Sequence, residues 1–323
     1  MSAIGGTDLY QKHRGDTHRY ALGIDVGGTK IAVGLVDTLK ATVINVEKIA
    51  TPQDSRSAQT LLLVSELAES VFMTAKSEGT PITCIGLGVP ELVTLDGEIV
   101  SKHVVCWETE EVHATLSTIA PLSIFSDVQA AAIAEATFGA GTNFPLCLYV
   151  GIGTGISHTL VIDGHPYRGA SGNAILFGSS VMSSICEKCG SIQESIVEKV
   201  SSGPGLVAAF NEVGGGAVTA EQVIAADASG DSAAMDVVKR AGNRVGEAIG
   251  NLINVLEPHI VVVGGGLGSN AVGSYWESLQ SAARRVAWAP SMKDISIVHA
   301  IYGDMTGVLG AAISAAKAEK EKN

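Results

Sequence analysis

The sequence predicts an α/β fold in two lobes, and three observations carry that expectation. A chain of 323 residues with 46% hydrophobic content can bury more core than one ordinary domain needs. Its apolar residues are mainly Ala, Val, Ile and Leu, with only 5% aromatics, and 38 dispersed glycines supply tight turns. A strand–turn–strand pattern over residues 20–36 recurs over 146–162, each time around a glycine-rich turn.

The elements follow in order along the chain. Residues 20–26 read as a buried strand, Gly27-Gly28-Thr29-Lys30 as a turn, and 31–36 as the returning strand. A third strand is expected over 42–49, then a helix over 58–75, where apolar residues recur at helical spacing. Residues 84–89 form a strand stopped by Pro90, and 122–125 a short strand that runs into an Ala-rich helix over 128–138. Asp127 therefore sits at a strand-to-helix junction. The second half opens with strand 146–150, the turn 151–155 and strand 156–162. Thr219-Ala220-Glu221-Gln222 reads as a capping box, and 232–256 as a long amphipathic helix ending before Pro258. Strand 259–263 leads into Gly264-Gly265-Gly266, followed by helix 271–286, strand 295–300 and helix 306–318, with a Lys/Glu tail expected to fray. The organisation expected is a polar tail over 1–18, a first lobe over 19–126 joined by helix 306–318, and a second lobe over 127–305.

Lys and Arg number 21 against 33 Asp and Glu, a formal charge of −12, which argues against nucleic acid held by a broad basic surface. A nucleotide must then be held locally, by backbone N–H groups in glycine turns and by a divalent cation. No apolar run has the length of a membrane span and the first eighteen residues are polar, so a cytoplasmic location and no membrane partner are expected. Of five cysteines, Cys84, Cys106 and Cys147 lie in or beside apolar stretches as reduced thiols, and Cys186 and Cys189 raise the question of a metal.

Four segments carry chemistry. Asp25 ends a buried strand just before Gly27, Gly28, Thr29 and Lys30, where a carboxylate can hold magnesium and the turn can approach phosphate; the plain alternative is a type I′ hairpin turn with an edge Asp. Gly151-Ile152-Gly153-Thr154-Gly155 is a second donor-rich turn, either gripping phosphate or merely closing a hairpin. Gly265 and Gly266 could lie flat against a base or ribose, or simply serve a loop needing positive φ. Asp127 could cap the Ala130 amide or take a proton from a substrate hydroxyl, since phosphoryl transfer needs positioning, charge neutralisation and a base.

Together these segments, with Gly86-Leu87-Gly88-Val89-Pro90, Asp127-Val128-Gln129-Ala130-Ala131-Ala132 and Tyr167-Arg168-Gly169-Ala170-Ser171-Gly172, resemble the ROK family of repressors and sugar kinases over nearly the whole chain. The resemblance implies two ribonuclease H-like lobes, the actin/Hsp70/sugar kinase superfold, around a nucleotide cleft. It also implies ATP and Mg2+ as cofactors, Asp127 as catalytic base and a homodimer. ROK repressors carry a winged-helix domain ahead of the first strand, and eighteen polar residues are too few for one, so direct DNA binding is not expected.

The departures concern the sugar. Family kinases have Asn before the catalytic Asp, where this chain has Ser126, and Pro-Gly where it has Pro90-Glu91. The family Glu that holds sugar hydroxyls is Leu176, and the family His shared by the sugar and zinc sites is Ser179. Losing a buried acceptor leaves a glucose hydroxyl poorly paired, so the expected substrate is a modified hexose or a cyclitol, with Glu91, Ser126, Asn173 and Ser179 around it. The zinc motif is eroded to Cys186-Glu187-Lys188-Cys189, and two thiolates do not close a tetrahedral site, though His158, His165 or a partner chain could complete it. A sensor that keeps the fold without catalysis is the rival reading.

Overall fold

The strand-forming runs build two five-stranded mixed sheets in the computed structural model, which describes residues 18–52, 58–185 and 189–322. In the first sheet, β1 (Tyr20–Val26), β2 (Lys30–Asp37), β3 (Thr42–Ala50), β4 (Ile85–Val89) and β5 (Leu122–Ser126) lie in the order β3-β2-β1-β4-β5. Next come β6 (Leu146–Ile152), β7 (Ile156–Ile162) and β8 (His165–Pro166), then a separate hairpin of β9 (Val181–Ile185) and β10 (Ile192–Ile196). With β11 (Ile260–Gly264) and β12 (Ser296–His299), the second sheet has the order β12-β11-β6-β7-β8.

The two sheets share one pairing scheme. β1 pairs antiparallel with β2, and β2 with β3, while β4 and β5 add in parallel. The second sheet repeats this with β6, β7 and β8 antiparallel and β11 and β12 parallel. The repeated hairpin read from the sequence is thus the visible part of a repeated five-stranded unit. The interior strands β1, β4 and β11 are apolar runs buried almost throughout, as strands covered on both faces require.

Helices α1 (Ala58–Ser77), α2 (Thr109–Leu116) and α3 (Asp127–Phe138) accompany the first sheet. The second has α4 (Val197–Ser201), α5 (Gly203–Glu212), α6 (Ala220–Ala228), α7 (Ser232–Leu256), α8 (Gly265–Gly268), α9 (Gly273–Val286) and α10 (Pro290–Lys293); α11 (Thr306–Lys322) returns to the first. Thr219 caps α6 by accepting from the Gln222 amide at 3.4 Å, and Gln222 reaches back to the Val218 amide at 2.7 Å. Asp231 caps α7 through the amides of Ala233 and Ala234, both at 2.9 Å.

The chain divides into two compact units, Met1–Phe138 with Met305–Asn323 and Gly139–Asp304. The break falls after Phe138, not before Asp127 as the sequence suggested, because α3 packs on α11 and β4 within the first unit. Contact there is close enough that a Cβ at Gly310 would overlap the Ala130 carbonyl. On the other face of α11, Gly23 of β1 and Gly86 of β4 let the Val308 and Ala311 carbonyls down onto the sheet. This packing also carries the helix past the expected fraying point to Lys322, with Lys317 Nζ donating to Thr137 Oγ1 at 3.2 Å. Each unit has its own core, one around Ile24, Leu87 and Trp107, the other around Leu148, Val261 and Tyr275.

Candidate active site

In the first unit two carboxylates approach one another from strands that share a neighbour. Asp25, near the end of β1, is in register with Gly88 of β4. On the other side of β4, Phe125 pairs with Gly88 and Ser126 with Val89, so Asp127 follows directly at the end of β5. Gly88 has no side chain between them: a Cβ there would lie 3.6 Å from Asp127 Cα and 3.9 Å from Asp25 Oδ1.

That setting changes the acidity of Asp127. Its carboxyl is pushed up to about 7, first by burial and then by the negative charge of Asp25, with Glu91 adding a smaller push. Hydrogen bonds from the Val128 amide, at 2.6 Å to Oδ1, and from Ser126 work the other way without cancelling it. Of the two sequence readings, the cap on Ala130 is not the contact formed, since Oδ1 takes the amide of the next residue. A carboxyl titrating near neutrality, beside a second carboxylate, has the proton affinity of a general base.

The turn after Asp25 is open on one side and tied on the other. Gly28 and Thr29 are exposed, while Thr51 holds the turn through its hydroxyl to the Gly27 carbonyl at 2.7 Å and its amide to the Thr29 carbonyl at 3.0 Å. Gly27 N donates to the carbonyl of Lys30, the first residue of β2, at 2.9 Å. Thr29 does not take the left-handed backbone, so the turn is not type I′.

Glu91 corrects an expectation. The sequence placed it among substrate contacts, but the residue is 3% exposed and its carboxylate is occupied by the chain itself. It accepts from the amides of His103, Val104 and Val105 at 2.9, 2.6 and 2.9 Å and from the Ser101 hydroxyl. A carboxylate with four donors has little left for a sugar, so Glu91 holds the 101–105 loop. Ser126, 1% exposed, serves Asp127 as described.

In the second unit the two glycine turns are neighbours. A Cβ at Gly153 would lie 3.6 Å from Gly266 N. Gly153 also accepts, through its carbonyl, the amide of Gly203 at the start of α5 at 2.9 Å, which brings the electropositive end of that helix to the turn. Thr154 and Gly155 are exposed, but Gly155 has a second reason to be glycine: a Cβ would stand 2.8 Å from Glu198 Oε2, which accepts the Ile156 amide at 2.7 Å. Gly265 has φ +81° and a Cβ there would lie 2.5 Å from the Ile152 carbonyl oxygen, so the loop geometry alone requires it. Gly266 is different, since a Cβ would meet nothing within 4 Å.

The loop after β8 holds the remaining candidates. Asn173 Nδ2 donates to Ser171 Oγ at 3.3 Å, and its Oδ1 is buried with no hydrogen-bond partner among the described residues. Ser179 is exposed at the end of a single helical turn, Leu176–Ser179, and Leu176 itself is 50% exposed. His158 on β7 packs its ring edge-on to Phe177 at 5.7 Å, and burial lowers its proton affinity.

Zinc finds no cage among the described residues, where no three His, Cys, Asp or Glu side chains gather. Cys186 lies outside those residues; Cys189 is exposed with Sγ 3.1 Å from Ser191 Oγ, and His165 Nδ1 is 3.1 Å from the Asp163 carbonyl oxygen. No chemistry is assigned to zinc here. No described helix is long and apolar enough to cross a membrane.

The ROK family model matches residues 21–318. The chain belongs to the ROK family. Relatives include the N-acetylgalactosamine kinase AgaK of a Shewanella species, 28% identical over 304 residues, covering 90% of this chain and 95% of the relative. The N-acetyl-D-glucosamine kinase of Salmonella paratyphi B is 28% identical over 303 residues, covering 90% and 97%. Among solved structures, the ROK hexokinase of Thermus thermophilus matches with a TM-score of 0.76 at 27% identity, covering 94% of this chain and 99% of that one. The repeated sheets of this ROK protein are accordingly those of the actin/Hsp70/sugar kinase fold, and the relatives named above are sugar kinases.

Sequence reasoning passed over Thr51, Glu198 as an anchor of the second turn, and Gly307, whose Cβ would overlap the Asp25 carboxylate. Thr51 lies just past the end of β3 and offers no local pattern. Glu198 had one signal, since Glu198-Lys199-Val200-Ser201-Ser202-Gly203 resembles the Glu-x-x-x-Ser-Gly pattern of the ROK family.

Proposed function

We propose that this ROK protein is an ATP- and magnesium-dependent kinase that phosphorylates a hydroxyl of a hexose-like or cyclitol substrate other than plain glucose. The observation that carries the reading is Asp127, a carboxyl raised to about 7 and set across Gly88 from Asp25. In the reaction the substrate oxygen attacks the γ-phosphorus, the bond to the ADP oxygen breaks, and the hydroxyl proton passes to Asp127. Asp127 must be ionised to accept it, which its acidity allows for about half the molecules near pH 7.

Magnesium is held elsewhere in biology by one or two carboxylates plus substrate phosphates, and Asp25 fits that donor set; bound there, the ion would neutralise phosphate charge. The turn Gly27, Gly28, Thr29 and Lys30 offers the amides of its exposed residues Gly28 and Thr29, a hydroxyl and an ammonium to phosphates. Gly153, whose carbonyl takes the first amide of α5, and the exposed Thr154 beside it offer a second anion seat, with open space at Gly266 for the nucleoside. The N-acetylhexosamine relatives support a substituted hexose, and Asn173 Oδ1 supplies an acceptor for a substrate N–H or O–H. The reading includes a homodimer, as the family likeness implied, and a cytoplasmic location, as the polar first residues and the lack of a membrane-length apolar run suggested.

The test is ADP release from ATP and magnesium with glucose, mannose, N-acetylated and amino hexoses, fructose, inositols and seven-carbon cyclitols, with Asp127→Asn alongside. Turnover of one class that Asp127→Asn abolishes establishes the kinase. Binding of ATP or sugar without turnover of any candidate would leave the sensor reading in its place.

A further inference from the structure

Gly307 is the second residue of α11 and lies against Asp25. A Cβ built on it would overlap the carboxyl carbon and both carboxyl oxygens of Asp25, which leaves that side chain no room in its present place. Gly88 is a second close neighbour, where a Cβ would stand 3.9 Å from Asp25 Oδ1 in ordinary contact. The carboxylate therefore has two close neighbours that lack side chains, one on β4 and one at the start of a 17-residue helix. The N-terminal end of a helix is electropositive, so the seat suits an ionised carboxylate.

We propose that Gly307 is a positioning residue for phosphoryl transfer: its missing side chain seats the Asp25 carboxylate against the first turn of α11, facing Asp127 across Gly88. The inference rests on the kinase reading and deepens it. Gly307 touches no reacting atom and acts through Asp25. The other glycine of α11 does different work. Gly310 meets the Ala130 backbone, which cannot yield, whereas Gly307 meets the end of a short side chain, which can swing away. A methyl at 307 thus leaves the fold and displaces the carboxylate. Displacements near 1 Å cost on the order of a hundredfold in rate where geometry is set for transfer.

The experiment is a double-mutant cycle of Gly307→Ala and Asp25→Ala, read both by urea unfolding and by steady-state kinetics on the best sugar. Gly307→Ala is expected to lower kcat roughly a hundredfold with KM for the sugar within about twofold of wild type. In the Asp25→Ala background it is expected to add no further loss of rate and no further loss of stability, because nothing is left to displace. Independent, multiplying losses in both readouts would overturn the proposal, as would wild-type kcat for Gly307→Ala. If the wild type itself turns over no substrate, the kinase reading and the catalytic role of Gly307 fail together. The unfolding cycle then still decides whether Gly307 and Asp25 are coupled. Should Gly307→Ala fail to fold alone, recovery in the double variant supports the coupling, and failure of both variants overturns it.

Discussion

The negative charge of Asp25 raises the proton affinity of Asp127 across the gap at Gly88, second to burial, and the Asp127 carboxyl stands at about 7 as a result. A base must be ionised to act, so kcat/KM is expected to rise with pH through one ionisation near 7. Asp25→Asn removes the like charge. The acid limb of whatever activity remains should then move to lower pH. A wild-type limb at the ordinary carboxylate range, near 4, would sink this account of the base.

The same carboxyl makes a statement about stability. Its folded value lies above the unfolded one, so the folded state binds the extra proton, and the advantage present at low pH is lost as pH rises through about 7. Asp127→Asn carries no charge to desolvate. It is expected to raise the melting temperature at pH 8, with an upper bound of roughly 4 kcal/mol at about 1.36 kcal/mol per pKa unit, and to change it little at pH 4. Turnover should fall by a factor of about 100 to 10,000. Equal melting shifts at both pH values would show that the carboxyl is not held protonated.

Glu91 offers a test of structural against substrate roles. Its four donors include three backbone amides of the 101–105 loop, and Glu91→Gln turns an N–H2 toward donors that need an acceptor. The expected outcome is a loss of about 2 kcal/mol in urea unfolding and faster proteolysis within residues 101–105. A raised sugar KM at unchanged stability would return Glu91 to the substrate contacts that the sequence assigned it.

How much of this was legible in the sequence depends on the range of the interactions. The buried strands and α7 were written in local apolar periodicity, and α7 came out at Ser232–Leu256, the span its pattern predicts. Asp25 and Asp127 were legible because each follows an apolar run at a junction. The short helix α2 and the hairpin β9–β10 were not read, since eight residues of weak patterning and two five-residue strands resemble loop sequence. The work of Glu91 lies in donors ten to fourteen residues away, and that of Gly307 in a contact with the other end of the chain. A carboxylate after Pro90 looks the same in sequence whether it faces a ligand or a loop. The lobe boundary was missed for a related reason, because the helix that claims α3 is α11, more than 160 residues later.

In the proposed reading the sugar specificity turns on Leu176, which stands half exposed on a turn pinned to β7 by Gly178, where a Cβ would overlap the Ile156 carbonyl. A leucine there offers no acceptor, and glucose hydroxyls that need one go unpaired. Leu176→Glu restores a carboxylate at a position exposed enough to hold it, so stability should stay within about 0.5 kcal/mol of wild type. A hydrogen bond to a charged group contributes about 1.5 to 3 kcal/mol, which corresponds to a gain of roughly tenfold or more in kcat/KM for glucose. The native substrate should lose by comparison, and Ser179→His added to Leu176→Glu should shift the ratio further toward glucose. Competition between glucose and the best substrate in one assay measures that ratio directly. If wild type already turns over glucose as well as any other sugar, Leu176 does not set specificity and the substituted-hexose reading falls with it.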